Sequence, residues 1–281
     1  MDVLPALLRV TSSMANPLCD MDPTTAHSTQ GCKILHLVRH AQGVHNTVVG
    51  KGPEALLSQE LFDAQLSDLG FKQVEKLRTE VEERELTKKI DLVIASPMLR
   101  TLQTAVGVFG GGGSRANGFD VDGETAVNGD KFAKIDGPPI IAVEHCRERW
   151  GLEPCNRRRS IHEYQTLFPG IDFQLIESED DILWKADVRE SYEEVAARGI
   201  KFLKWLWTRQ EKEIAIVSHG IFLQQTLQKL AKETNQSMEN LCSRFGNCEI
   251  RTVAINIADG SIFYHPHDVR KEDTQRKEAS N

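Results

Sequence analysis

The sequence predicts an α/β protein: a mostly parallel sheet with helices on both faces, layered α/β/α. Three observations predict it. Short apolar runs at residues 34–38, 91–95, 140–143 and 213–218 have the composition of buried parallel strands. Amphipathic stretches with apolar residues three and four apart lie among them. Several of the runs break off into charged residues or histidine, where open α/β sheets place their ligand sites.

The first run, Ile34-Leu35-His36-Leu37-Val38, ends at Arg39-His40, followed by Ala41 and Gly43. Small residues there let the backbone turn and approach a ligand. Arg39 offers a planar donor fork for phosphate or carboxylate. His40 offers a nitrogen that is neutral and nucleophilic near pH 7. On this stretch alone, a strand end capped by solvated polar residues explains the pattern equally well.

Residues 47–65 show little periodicity, and Gly50, Gly52 and Pro53 mark a loop at the mouth of this edge. Phe71, Val74, Leu77 and Val81 then recur at helical spacing, with Ser67 or Asp68 as cap and an end near Leu86. The strand at 91–95 runs into Ser96-Pro97, and Pro97 suits a helix start. Arg100 then falls in the first turns of that helix, on the same edge as His40. Gly110 to Gly113 end the helix, and 106–139 reads as a divergent, glycine-rich surface insertion. The strand from Ile140 delivers Glu144, His145, Arg147, Glu148 and Arg149 to that edge. The run Arg157-Arg158-Arg159 reads as a solvated face or as a grip for a second acidic substrate group.

Residues 192–207 have strong helical spacing through Val195, Ala196, Ile200, Leu203 and Leu206, and Trp205 and Trp207 pack with that helix. Glu213 to Ser218 then repeats the opening pattern, an apolar strand followed by His219 and Gly220, with a helix expected over 221–230. Residues 248–257 alternate as a strand, and 261–264 is placed to pair with them through an Asp259-Gly260 turn. Residues 1–32 and 266–281 read as tails around one domain at 33–265.

Composition sets outer limits. The chain has 281 residues and a formal net charge of −7, a poor match to nonspecific nucleic-acid binding. A local arginine cluster can still bind an anionic substrate. No apolar stretch approaches the roughly 20 residues of a membrane span. The cysteines are scattered without a Cys-x-x-Cys pair, which fits free thiols in a reducing, cytoplasmic setting and argues against a zinc site. A plastid transit peptide is the alternative for the first thirty residues. Asp2, Asp20 and Asp22 oppose it, as does a single basic residue, Arg9, before Lys33.

Two histidines, two arginines and a carboxyl group thus converge: His40, His219, Arg39, Arg100 and Glu148. The arginines can hold a tetrahedral dianion through bidentate hydrogen bonds, and their charge disfavours imidazolium and keeps His40 nucleophilic. A protonated glutamate could supply the leaving oxygen with its proton. That set suits phosphoryl transfer through a phosphohistidine, with no metal or cofactor required.

Arg39-His40-Ala41, Ser96-Pro97-x-x-Arg100-Thr101-x-Gln103-Thr104-Ala105 and Ser218-His219-Gly220 resemble, in order and spacing, the three signatures of the histidine phosphatase superfamily in its phosphoglycerate-mutase-like branch. The Arg-His-Ala-Gln-Gly start is that of its plant members, and the resemblance spans 33–265. It implies His40 as the phosphorylated nucleophile, with Arg39, Arg100 and His219 around the phosphate. It also implies Asn46 as a further phosphate contact and Glu148 as the general acid that later activates water. Glu144 is the alternative acid, and a different register of that segment would exchange the two. His45 reads as a loop histidine and His36 as a hydrogen-bonded core residue. The expected activity is hydrolysis of a small phosphate monoester, because 47–65 lacks the substrate-enclosing segments of the family's mutases. The alternatives are a mutase, a catalytically silent phospho-ligand module, or a metal hydrolase using His36, His40 and His219.

Overall fold

The structure, a computed structural model, describes residues 31–111, 135–256 and 262–264. Its sheet has seven strands: β1 (Cys32–Arg39), β2 (Leu92–Ala95), β3 (Ile140–Ala142), β4 (Ile171–Asp172), β5 (Glu213–Ser218), β6 (Ile250–Asn256) and β7 (Ile262–Tyr264). Their order is β4-β3-β2-β5-β1-β6-β7. The pairings from β4 through β1 are parallel, and β6 and β7 add antiparallel.

Side-chain alternation along the strands divides the interior into two layers. Val38, Val93, Ala95, Ala215 and Val217 face one side, against helices α1 (Asp68–Glu83), α2 (Leu99–Phe109) and α3 (Ile161–Leu167). Leu35, Leu37, Leu92, Ile94, Ile214 and Ile216 face the other, against α4 (Tyr192–Trp207) and α5 (Gly220–Glu233). Trp205 and Trp207 pack against this second layer as partly buried residues. The expected three-layer α/β/α architecture is therefore the observed one. His36 sits in mid-strand, its ring nitrogens against Thr252 Oγ1 and Glu213 Oε1 at 3.0 Å each. It is the hydrogen-bonded core residue expected, and with both nitrogens used it offers nothing to a metal reading.

Local rules account for most boundaries. Ser67 caps α1 by accepting the Gly70 N–H, and Ser191 with Glu194 forms a capping box at α4. Elsewhere the structure corrects the expectation. Helix α1 stops at Glu83, not near Leu86, because Arg84 caps it and Glu85 turns left-handed (φ 52°) into a short 3-10 turn. Helix α2 starts at Leu99, so Pro97 lies before the helix and Met98 is its N-cap. Strand β6 begins at Ile250, because Cys248 holds a φ of 57° that no strand accommodates. Residues 47–65 fold into three 3-10 turns, whose Leu61 and Ala64 pack with Val48, Leu56 and Cys155. The expected tails, most of the 106–139 insertion and the Asp259-Gly260 turn lie outside the described residues. Among the described residues no helix is long and apolar enough to cross a membrane.

The arginine run is a further correction. Arg158 is buried, donating to Glu144 and to the carbonyls of Arg159, Ser178, Glu179 and Asp180. Arg159 pairs with Asp63 and Glu163. Only Arg157 of the three is exposed, its guanidinium over the rings of Phe62 and Trp184. Turning carbonyls of 178–180 inward requires donors, and Arg158 supplies them.

The two helices of the second layer touch at Gly199 of α4. A Cβ there would sit 1.9 Å from Thr226 Oγ1 of α5. Gly199→Ala is expected to lower unfolding free energy by about 1–3 kcal/mol through overpacking, despite alanine's better helix propensity. Urea unfolding measures it, and adding Thr226→Ala should recover part of the loss.

Candidate active site

Strand register brings the pieces together. β1 and β5 pair in parallel with Arg39 opposite Ser218, and the His40 N–H donates to the Ser218 carbonyl at 2.9 Å. The residues that leave the two strand ends, His40 and His219, therefore meet, with ring centroids 5.1 Å apart at 63°.

His40 Nδ1 lies 2.7 Å from the Ala41 carbonyl. A carbonyl only accepts, so Nδ1 carries the proton and Nε2 keeps a bare lone pair. Burial, then the charge of Arg100, hold its pKa well below the ordinary imidazole value. His219 is wholly buried and held neutral for the same two reasons. Its Nδ1 accepts from Arg100 Nη2 at 3.3 Å, so its Nε2–H donates to Ser96 Oγ at 2.8 Å.

Arg100 is fully buried in the first turn of α2. Its guanidinium donates to the Cys155 carbonyl at 2.7 Å and Asn156 Oδ1 at 3.0 Å, both in the 3-10 turn Pro154–Asn156. Arg39 donates through Nη1 to the Phe245 carbonyl at 2.7 Å. Both arginines keep a buried Nε with no acceptor among the described residues.

The two glutamates have different surroundings. Glu148 faces the amino end of α5, accepting from the Phe222 N–H at 3.2 Å and the Ile221 N–H at 3.4 Å. Its charge also acts on Arg39. Glu144 is spent on Arg147 (2.9 Å) and Arg158 (2.6 Å), in a network that includes Asp181. Glu148 therefore lies at the amino end of α5, the helix that follows His219, within electrostatic reach of Arg39, whereas Glu144 belongs to the arginine network.

Asn46 follows in the 3-10 turn Val44–Val48. Its Oδ1 accepts the Gly43 N–H, and its Nδ2 donates to His45 Nε2, both at 3.0 Å. His45 departs from the expected loop histidine. It is buried, with its ring 5.6 Å from that of His40, and burial with the charges of Arg100 and Arg39 lowers its pKa well below the usual value. The short turn after Gly43 folds residue 45 back over the strand end, and the spacing His40-x-x-x-x-His45 was its only trace in sequence. Ser96, which opens the second signature without a role of its own, and Asn156 join the centre through residues distant in the chain, His219 and Arg100. Among the described residues no group of three or more His, Cys, Asp or Glu could hold a metal ion.

The model of the histidine phosphatase superfamily (branch 1) matches residues 35–116 and 162–262. The chain belongs to this superfamily. Phosphoglycerate mutase-like protein 1 of Arabidopsis thaliana is 53% identical over 229 residues, covering 80% of this chain and 81% of the relative. Phosphoglycerate mutase-like protein 2 of the same plant is 42% identical, covering 90% and 84%. A probable phosphoglycerate mutase of Saccharomyces cerevisiae is 27% identical, covering 70% and 72%. The family match brackets His40, Arg100 and His219 and leaves out 117–161, so the place of Glu148 among them rests on geometry.

The three depressed histidines of the site, His40, His45 and His219, carry a stability signature. A folded pKa below the unfolded value of about 6.5 means the unfolded chain binds protons first. The stability these groups contribute is full above about pH 6.5 and is lost as pH falls. Melting temperature should therefore drop on acidification below that pH, with a shallower slope in His45→Gln. Equal slopes would contradict the burial described.

Proposed function

We propose that the protein hydrolyses phosphate monoesters through a phosphohistidine on His40. The observation that carries this reading is the bare Nε2 of a buried neutral His40, its opposite nitrogen tied to the Ala41 carbonyl, beside Arg39, Arg100 and His219.

In the first step His40 Nε2 attacks phosphorus, an N–P bond forms and the ester O–P bond breaks. The leaving oxygen takes a proton from Glu148, which this step requires in its acid form. In the second step Glu148, now a carboxylate, takes a proton from water as the water oxygen attacks phosphorus. The N–P bond breaks, inorganic phosphate departs and His40 returns to its starting state. Arg39, Arg100 and His219 stabilise charge on the transferred phosphoryl group, where preorganised donors are worth most. Asn46 belongs to the same phosphate site, exchanging an internal hydrogen bond for one to the substrate.

Hydrolysis is preferred to mutase activity on the sequence of residues 47–65, which does not resemble the substrate-enclosing segments of the family's mutases. A phosphorylated small molecule is the expected partner.

The test compares phosphate release from an aryl phosphate and an alkyl phosphate. His40→Ala should lose at least roughly 10³-fold in kcat on both. Glu148→Gln should lose roughly 10²–10⁴-fold on the alkyl ester, whose leaving group needs the proton, and less on the aryl ester. Glu144→Gln should show no such dependence on the leaving group. Equal rates for wild type and His40→Ala would end the phosphohistidine reading. Rapid interconversion of phosphoglycerates primed by bisphosphoglycerate, without phosphate release, would make the protein a mutase.

A further inference from the structure

Asp63 lies between the nucleophile strand and α1 and has no part in the chemistry above. It is wholly buried and holds a left-handed φ of 43°, a conformation aspartate tolerates better than most residues. Its main-chain N–H donates to the Pro154 carbonyl at 3.3 Å. Its Oδ1 accepts the N–H of Leu99, the first residue of α2, at 3.0 Å. Its Oδ2 accepts the Tyr164 hydroxyl at 2.8 Å and Arg159 Nε–H at 3.2 Å.

These partners share a purpose. Helix α2 has Met98 at its N-cap, with no side-chain cap bond. Asp63 supplies the missing cap from 36 residues away, one residue before Arg100. The acceptors of Arg100, the Cys155 carbonyl and Asn156 Oδ1, belong to the turn Pro154–Asn156. Asp63 ties down the start of that turn through Pro154 and the segment after it through Arg159. One residue thus serves both: its carboxylate holds the helix start that carries Arg100 and, through Arg159, the segment after the turn, and its main-chain N–H holds Pro154 in the turn that receives the guanidinium.

We propose that Asp63 is a positioning residue for Arg100, setting the phosphate-facing geometry of the guanidinium relative to His40. This rests on the phosphohistidine reading above. The role requires the ionised form, because three donors converge on the carboxyl and only a carboxylate accepts from all of them. Burial raises its pKa to about 6, against the lowering effects of the Leu99 amide, Tyr164, Arg159 and Arg100, the groups that face it from α2, α3 and the segment before α3. Above that pH the carboxylate holds the clamp; below it a proton points at a donor and the clamp loosens. Stability runs the other way. A folded pKa above the unfolded one contributes stability at low pH that is lost as pH rises through about 6. Asp63 therefore favours activity and opposes stability over the same interval.

The experiment uses Asp63→Asn, Arg159→Gln, Arg100→Ala and the Asp63→Asn/Arg100→Ala pair. It measures p-nitrophenyl phosphate turnover and calorimetric binding of inorganic phosphate. At pH 7.5, Asp63→Asn should lower kcat/KM by roughly 10- to 100-fold, the cost of a slightly misplaced charge, and weaken phosphate binding. Without Arg100, the same change should cost less than about 3-fold, since the two residues act as a coupled pair. The wild-type to Asp63→Asn rate ratio should rise from pH 5 to 7, which also cancels the substrate's own ionisation. Arg159→Gln should shift that limb to higher pH. An equal cost with and without Arg100 would overturn the proposal and leave Asp63 a fold residue. If Asp63→Asn does not fold, the kcat/KM profiles of wild type and Arg159→Gln are compared directly, and an acid limb at the same pH in both overturns it. If wild type and His40→Ala release phosphate equally, the phosphohistidine reading fails separately, and the calorimetry decides: phosphate binding unchanged in Asp63→Asn refutes the positioning role.

Discussion

The parallel pairing of β1 with β5 is the constraint on which the rest depends. Both strands are buried on two faces, so their register is fixed by alternation: Leu35, Leu37, Ile214 and Ile216 toward one helix layer, Val38, Ala215 and Val217 toward the other. A one-residue slip would turn every side chain to the wrong layer. With Arg39 held opposite Ser218, the next residue of each strand is a histidine, and the two rings meet. Core packing, rather than any local preference of the histidines, sets the geometry of the centre.

That geometry concentrates positive charge in a buried place. Arg100 is desolvated completely, a cost that buried ion pairing normally offsets. Here neutral acceptors, Cys155, Asn156 and His219, receive its guanidinium, and the surrounding histidines are kept uncharged. A site that holds its histidines neutral beside two arginines favours a dianionic guest and a nucleophilic imidazole together. The carboxylates are separated accordingly. Glu144 and Asp181 neutralise Arg147 and Arg158 in the supporting layer. Glu148 accepts from the amino end of α5, within electrostatic reach of Arg39.

Much of this was legible in the chain. The strand ends carrying Arg39-His40 and His219 followed from apolar runs broken by polar residues, and α4 runs over the very residues its spacing indicated. What stayed illegible depends on contacts between distant segments. Pro97 suggested a helix start, but Asp63 captures the Leu99 N–H and sets the start there. Arg158 has the composition of a surface residue, and only the folding of 178–180 over it buries it. His45 lies in a short turn whose backbone path, not its composition, decides that its ring lies tilted beside that of His40. The resemblance preferred Glu148 to Glu144, and what separates them in space is the end of α5 on one side and the Arg147–Arg158 network on the other.

The central claim is a covalent intermediate on one nitrogen of His40, and rapid quenching tests it most directly. Wild-type protein mixed with a phosphate ester labelled on phosphorus, stopped in base within milliseconds and digested, should yield one labelled peptide containing His40. The label should be acid-labile and base-stable, as a phosphoramidate is, and absent from His40→Ala. Turnover without such a peptide, or a label retained in His40→Ala, would contradict the account.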